Sequence, residues 1–237
     1  MDAPKARSAN RLLASLSPED FSLVGPYLQK AELAPQTELA AAGEDLLNAY
    51  FPHSGIISLV VRLTDGQTTE VAMIGRDSMF GGSALVGPKA LTTAIVQSRG
   101  ECSKISTGRL QSAADQSKTL RTIIARHEQA IFVQAQQSAG CLASHPAVAR
   151  LARWLMRARD AAGTDKLHFT QDFLGQMIGV KRNAVSQVAT DLQASGIIVF
   201  SRGQIQITDA SKLKAIACEC YETVRSELER LKRSQLG

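Results

Sequence analysis

The stretch that most constrains this chain runs from Thr170 to Gly196, TQDFLGQMIGVKRNAVSQVATDLQASG. Thr170 is an N-cap residue, and Asp172 falls in the first turn of the helix it opens, where a negative charge meets the positive helix end. Phe173, Leu174, Met177 and Ile178 recur at the spacing of one apolar face. Gly175 is small where a second helix must cross closely, and Gly179, four residues on, permits a sharp bend. The next helix begins near Lys181 and packs through Val185, Val188, Ala189 and Leu192. A small residue, a turn glycine, then apolar residues six and nine beyond that glycine describe a helix-turn-helix. After Gly196 the run IIVFSRGQIQI reads as a hairpin turning at Arg202-Gly203, the position of a wing.

The polar face of the second helix carries Arg182, Asn183, Ser186 and Gln187, with no acid until Asp191. A helix fits the major groove of DNA, where base edges present distinct donor and acceptor patterns. Arg182 offers a fork suited to guanine, and Asn183 and Gln187 can each make the paired contact that adenine accepts. Thr170, Gln171, Lys181, Ser186 and Arg202 suit phosphates, which fix register without specifying sequence. On polarity alone an ordinary solvated face would account for these residues. Their place after a turn glycine, before a wing and in the basic half of the chain favours base reading.

That basic half emerges when the charge is divided. The net charge is +5, yet residues 1 to 146 carry 13 basic and 13 acidic side chains. The whole excess lies after residue 146, which points to a basic module for a polyanion joined to a neutral module with another task.

In the neutral part the periodicity is that of strands. The segment 55–74 is two β-branched runs joined at Asp65-Gly66, a strong hairpin signal. A second pair of runs, 91–97 and 102–106, flanks Arg99-Gly100. Short strands with frequent turns predict a small antiparallel roll. Before it, Ser17-Pro18-Glu19-Asp20 opens a short helix. From about 109 to 143 one long helix is predicted, with Leu120, Ile124, His127, Ile131, Gln134 and Ser138 in one row. That row is read as a dimer seam, a face covering the roll being the other reading. A further helix starts at His145-Pro146 and ends at Gly163, with Arg150, Arg153, Arg157 and Arg159 on its polar side. The expected division is 1–112 for the roll with short N-terminal helices, 113–145 for the long helix and hinge, and 146–237 for the winged helix-turn-helix with a C-terminal helix.

Several classes are disfavoured. No apolar run reaches the length of a membrane span, and the first ten residues lack the apolar core of a signal peptide, so a cytoplasmic protein with no membrane partner is expected. Cys102, Cys141, Cys218 and Cys220 fit no zinc or iron–sulfur spacing and read as reduced thiols, so no metal and no cofactor are expected. The run GGSAL at 81–85 has Leu85 where a nucleophile elbow needs glycine, and neither a zinc-protease helix nor a phosphate-cradling loop occurs; an enzyme is not expected.

With these residues in place the chain resembles the Crp–Fnr family of bacterial transcription regulators. TQDFLGQMIGVKRNAVSQVATDLQASGII resembles its helix-turn-helix signature; FPHSGIISLVV and MFGGSALVG resemble strands and the cassette of its roll. The resemblance implies an α+β fold: an N-terminal antiparallel β-roll like a cyclic-nucleotide-binding domain, a long dimerisation helix and a C-terminal winged helix-turn-helix. It implies a homodimer on near-palindromic double-stranded DNA, with RNA polymerase as a further partner. Cyclic-nucleotide-binding members carry a glutamate and an arginine in the cassette, where Gly82 and Lys89 stand here. Gly82 removes an acceptor and Lys89 lacks the fork, while Thr92 matches. Gly81, Gly82, Ser83, Lys89 and Thr92 are therefore the candidate effector pocket, with cyclic nucleotide disfavoured and no other effector assigned. A haem would need an axial ligand, and His53 and His127 are the only histidines on offer in that half. A regulatory module whose helix-turn-helix meets a protein is the rival reading, and salt dependence of DNA retention separates the two.

Overall fold

The computed structural model describes residues 8–233, so the seven residues that open the stretch read for a signal peptide lie outside it. Two short helices come first, α1 (Arg11–Ala14) and α2 (Pro18–Val24). Asn10 caps α1 by accepting from the Leu13 N–H, and its fully buried amide donates to the Pro52 and Ser78 carbonyls at 2.8 Å each. One side chain thereby satisfies three backbone groups that burial would otherwise leave costly.

Seven strands form the roll: β1 (Gln29–Leu33), β2 (Glu38–Ala40), β3 (Asn48–Pro52), β4 (Ile56–Arg62), β5 (Thr68–Ile74), β6 (Thr93–Ser98) and β7 (Gly100–Ser106). They make two antiparallel sheets, β1-β7-β3 and β2-β6-β4-β5, with Leu33, Ile57, Ile74 and Val96 fully buried among the residues packed in one cluster. Asp65-Gly66 turns the β4–β5 hairpin as its sequence demands. The runs flanking Arg99-Gly100 instead enter different sheets. A Cβ on Gly100 would lie 2.2 Å from the Ser54 carbonyl, so this crossing needs the close backbone approach that only glycine allows.

Helix α3 (Thr107–Gln116) and helix α4 (Lys118–Ser144) replace the single predicted helix. The break is at Ser117, whose hydroxyl accepts from the Leu120 N–H at 3.1 Å and donates to the Asp20 carboxylate from α2. A tertiary partner thus converts a mid-pattern serine into a cap. The row read as a dimer seam is corrected too. Leu120, Ile124, His127, Gln134 and Ser138 are buried within the chain itself, and Ile131 is half-buried. Gln134 Oε1 accepts from the Met73 N–H at 2.7 Å and His127 Nε2 from the Met79 N–H at 3.2 Å. Periodicity identifies a face that must be covered, but not which surface covers it.

The remaining elements are α5 (Ala147–Ala162), β8 (Lys166–His168), α6 (Gln171–Ile178), α7 (Arg182–Ala194), β9 (Ile198–Ser201), β10 (Gln204–Ile207), α8 (Ala210–Ile216) and α9 (Cys220–Arg233). α5 ends at Gly163 in the left-handed conformation, as expected. Arg153 and Arg157, placed on its polar side by sequence, are buried instead. They face the roll, because α5 docks on it: Leu151, Trp154 and Leu155 join Ile56, Val60 and Met73 in one core. Trp154 Nε1 donates to Glu70 Oε1 at 2.7 Å, and Arg157 donates to both Asp77 oxygens at 3.0 and 3.2 Å and to the Met73 carbonyl at 3.2 Å. α9 returns to α4, where Val224 and Leu228 cover Ala130. Among the described residues no helix is long and apolar enough to cross a membrane.

Candidate nucleic-acid interface

Thr170 Oγ1 accepts from the Phe173 N–H at 3.2 Å and starts α6. Gly179, at φ +66, ends it, and the Val180 N–H then bonds back to the Gly175 carbonyl at 2.8 Å. A Cβ on Gly175 would meet the Val180 carbonyl at 2.7 Å, so the turn closes only over glycine. The rings of Phe169 and Phe173 stack at 5.0 Å, and Trp154 meets both edge-on, which fixes α6 against α5. Val185, Ala189 and Leu192 bury the inner face of α7. What remains outward is Lys181, Arg182, Asn183 and Gln187, all exposed, with Ser186 half-buried. Thr170 is exposed and Gln171 half-buried at the start of α6. Behind them β8, β10 and β9 form a three-stranded sheet, and Arg202 is exposed at its β9–β10 turn, with φ 51 followed by Gly203 at φ 77. Two successive positive φ values are those of the tight hairpin turn that suits twisted strands.

Two acids touch this face, one of them from another helix. Asp172 on α6 lies 3.7 Å from Arg182, with both side chains 64% exposed. Such a solvated pair is worth at most about 1 kcal/mol, so it does not lock the Arg182 guanidinium in place. Gln187 Nε2 donates to Asp191 Oδ1 at 3.0 Å. The tip of the β4–β5 hairpin, Asp65 to Thr69, stands across an open groove of about 630 Å³ from Asp172, Gly175 and Lys181-Arg182.

The residues named as the candidate effector pocket lie in two places on the roll. A Cβ on Gly82 would lie 2.4 Å from Glu128 Oε1, the far end of a flexible side chain, and 3.0 Å from Ile124 Cγ2, so Gly82 faces α4 at close range. Lys89 is bound at 2.7 Å to Asp45 on the surface. Gly81, Ser83 and Thr92 line a cavity of only about 200 Å³ beneath α4, walled chiefly by apolar residues such as Phe80, Ile131 and Phe132. Ligand sites are usually larger, about 300–1,000 Å³. Of the two histidines in this half, His53 Nε2 pairs with the Ser103 hydroxyl at 2.9 Å and His127 Nε2 accepts from the Met79 N–H at 3.2 Å.

The expectation of no metal and no cofactor is overturned. Cys141, His145, Cys218 and Cys220 each bring one ligand atom to a common point, all within 4.8 Å of one another. Cys102 stands apart, against the Ala31 carbonyl. The ligands come from the end of α4, the residue after it, and the α8–α9 junction, 77 residues on between Cys141 and Cys218. No contiguous motif announces such a set. The available signal was Cys141 and His145 one helical turn apart together with the paired cysteines of the Cys-Glu-Cys run.

No curated protein sequence matches the chain. Residues 149–216 match the Crp-like helix-turn-helix domain, and residues 30–117 the cyclic nucleotide-binding domain. Among solved structures the chain is similar to FixK2 from Bradyrhizobium japonicum, at 17% identity and a TM-score of 0.70 over 81% of this chain and 98% of that one. A regulator of the crp/fnr family from Eubacterium rectale gives 16% identity and 0.66 over 88% and 98%. A CRP-family transcriptional regulator from Thermus thermophilus gives 20% and 0.64 over 79% and 96%. These structures share the fold of this chain from the roll to the wing. With the two domain matches standing in the family's order on that fold, the chain belongs to the Crp–Fnr family of transcription regulators and is not an enzyme.

Proposed function

We propose that the protein is a homodimeric, sequence-specific DNA-binding regulator that inserts the N-terminal end of α7 into the major groove. The observation that carries this reading is the exposed edge Lys181, Arg182, Asn183 and Gln187, held by a buried inner face and flanked by the wing. In a symmetric dimer two such edges would meet grooves about 34 Å apart. Phosphate contacts fall to Thr170, Gln171, Lys181, Ser186 and Arg202, and base contacts to Arg182, Asn183 and Gln187. RNA polymerase is the further partner such a regulator implies.

Arg182→Ala should lower discrimination at one base pair by about 1–3 kcal/mol, whereas Arg202→Ala should weaken all sequences alike. Competition binding against single-base variants of a selected site reads the difference, and an Arg182→Ala protein with unchanged preference removes that residue from the reading set. Affinity should also fall steeply with salt through counterion release. A flat salt response favours a protein partner for the helix-turn-helix.

Since the buried row of α4 is engaged within the chain, the second copy belongs on the opposite face. Phe132, at the rim of the cavity beneath α4 yet 64% exposed, stands at the edge of that face, beside the exposed Ala125, Gln129, Gln136 and Ala139. Placing a charge at the centre of an apolar contact is strongly unfavourable. Phe132→Glu should therefore yield a monomer by light scattering and lose cooperative binding to a two-half-site DNA. A dimer that survives the substitution moves the seam elsewhere.

A further inference from the structure

We infer that Cys141, His145, Cys218 and Cys220 form a closed binding site for one zinc-like divalent ion, which ties α9 to the hinge between α4 and α5. The distances already approach those of a tetrahedral site. Cys141 Sγ and Cys218 Sγ are 3.5 Å apart, and Cys220 Sγ is 3.5 Å from His145 Nδ1. A tetrahedron with bonds of about 2.0–2.3 Å has edges of roughly 3.3–3.8 Å, so a contraction of about 1 Å closes the widest separation. Three thiols and one imidazole are a donor set for zinc, with no hard oxygen ligand that would select magnesium or calcium. The ligand atoms are too close together for a four-iron cluster, whose cysteines sit on different irons.

The surroundings are those of a metal site. The second ring nitrogen of His145, Nε2, lies 3.2 Å from Glu219 Oε1, the carboxylate partner that orients a ligating imidazole. Gln137 Nε2 donates to Cys220 Sγ at 3.1 Å, a contact that supports a thiolate. Cys141 and Cys220 are fully buried and Cys218 nearly so, leaving no open coordination position. The site is therefore structural rather than catalytic. Binding releases the thiol protons as the metal–sulfur bonds form, with no change of oxidation state.

The test uses the full-length, tag-free protein isolated under reducing conditions. Elemental analysis should find about one zinc per chain. After stripping with a chelator, Co²⁺ titration should produce thiolate-to-cobalt charge-transfer and tetrahedral ligand-field bands that saturate at one ion and vanish on adding Zn²⁺. Cys218→Ser should abolish the bands, and Glu219→Gln should weaken uptake about tenfold by loosening the imidazole. Cys102→Ser should change nothing. If Cys218→Ser fails to fold, the wild-type cobalt spectrum and Glu219→Gln still decide. Folded, reduced protein that takes up no ion overturns the site, as does uptake lost in Cys102→Ser. A Cys141–Cys218 disulfide in the freshly isolated protein, with the thiols of the reduced form indifferent to Co²⁺, also overturns it. None of these readouts depends on DNA, so failure here leaves the DNA-binding reading standing.

Discussion

Arg157→Ala should destabilise the folded chain by about 3–5 kcal/mol. The guanidinium and the Asp77 carboxylate are each only 7% exposed, and they meet where α5 docks on the roll. Truncation removes both contacts to Asp77 and one donor to the Met73 carbonyl, and it leaves the carboxylate's charge in a water-poor joint. The pair itself need not be worth that much, because its desolvation offsets much of its attraction; the penalty comes from removing one half. Urea unfolding followed by circular dichroism measures the loss. Arg230→Ala supplies the contrast, since Arg230 is 70% exposed in its pair with Glu227 and should cost under about 1 kcal/mol. An Arg157→Ala loss no larger than that of Arg230→Ala would show that the docked joint does not depend on this pair.

Glu70→Gln should stabilise the protein above neutral pH and flatten its pH dependence. Burial raises the Glu70 carboxyl from 4.5 to about 7, against the hydrogen bond from Ser58, the charge of Arg153 and the Trp154 N–H. The folded chain therefore holds this proton more tightly than the unfolded chain between about pH 4.5 and 7. Stability from this group is fully present below that window and declines as pH rises through it. A glutamine keeps both hydrogen bonds, accepting from Trp154 and donating to the Ser58 hydroxyl, and has no charge to desolvate. At pH 8 the gain should be on the order of 2–3 kcal/mol, and it should shrink toward about pH 5. Equal pH slopes for the wild type and Glu70→Gln would show that Glu70 titrates normally. Glu70 and Trp154 join the roll to α5, so the group titrates at the joint between the roll and the C-terminal elements.

The helix-turn-helix was legible because every feature that makes it is local. Thr170 needs only the N–H of Phe173, Gly179 needs only its own positive φ, and Val185 and Leu192 need only the helical period. The β4–β5 hairpin is legible for the same reason at Asp65-Gly66. The N-terminal edge of α7 follows from these elements, so its polar residues emerge exposed as the pattern predicts. Gln187 and Arg182 were legible as polar positions, but their acidic neighbours only in part, because Asp172 reaches Arg182 across the turn.

What the order of residues left open was which surfaces distant elements share. A row of apolar residues on α4 states that water must be excluded, and the roll, not a second copy, excludes it from Leu120 to Gln134. Arg153 and Arg157 look solvated in a helical projection and are buried because Glu70 and Asp77 await them on the roll. Four metal-ligating side chains meet only because α9 folds back onto α4, across 77 residues. The amino-acid order alone thus determined most local elements, the exposed polar edge of α7 and the family pattern, since backbone dihedrals and short-range caps decide those. Tertiary structure alone decided the docked joint, the free face of α4 and the thiol–imidazole cluster, since burial and charge pairing depend on neighbours that chain order does not specify.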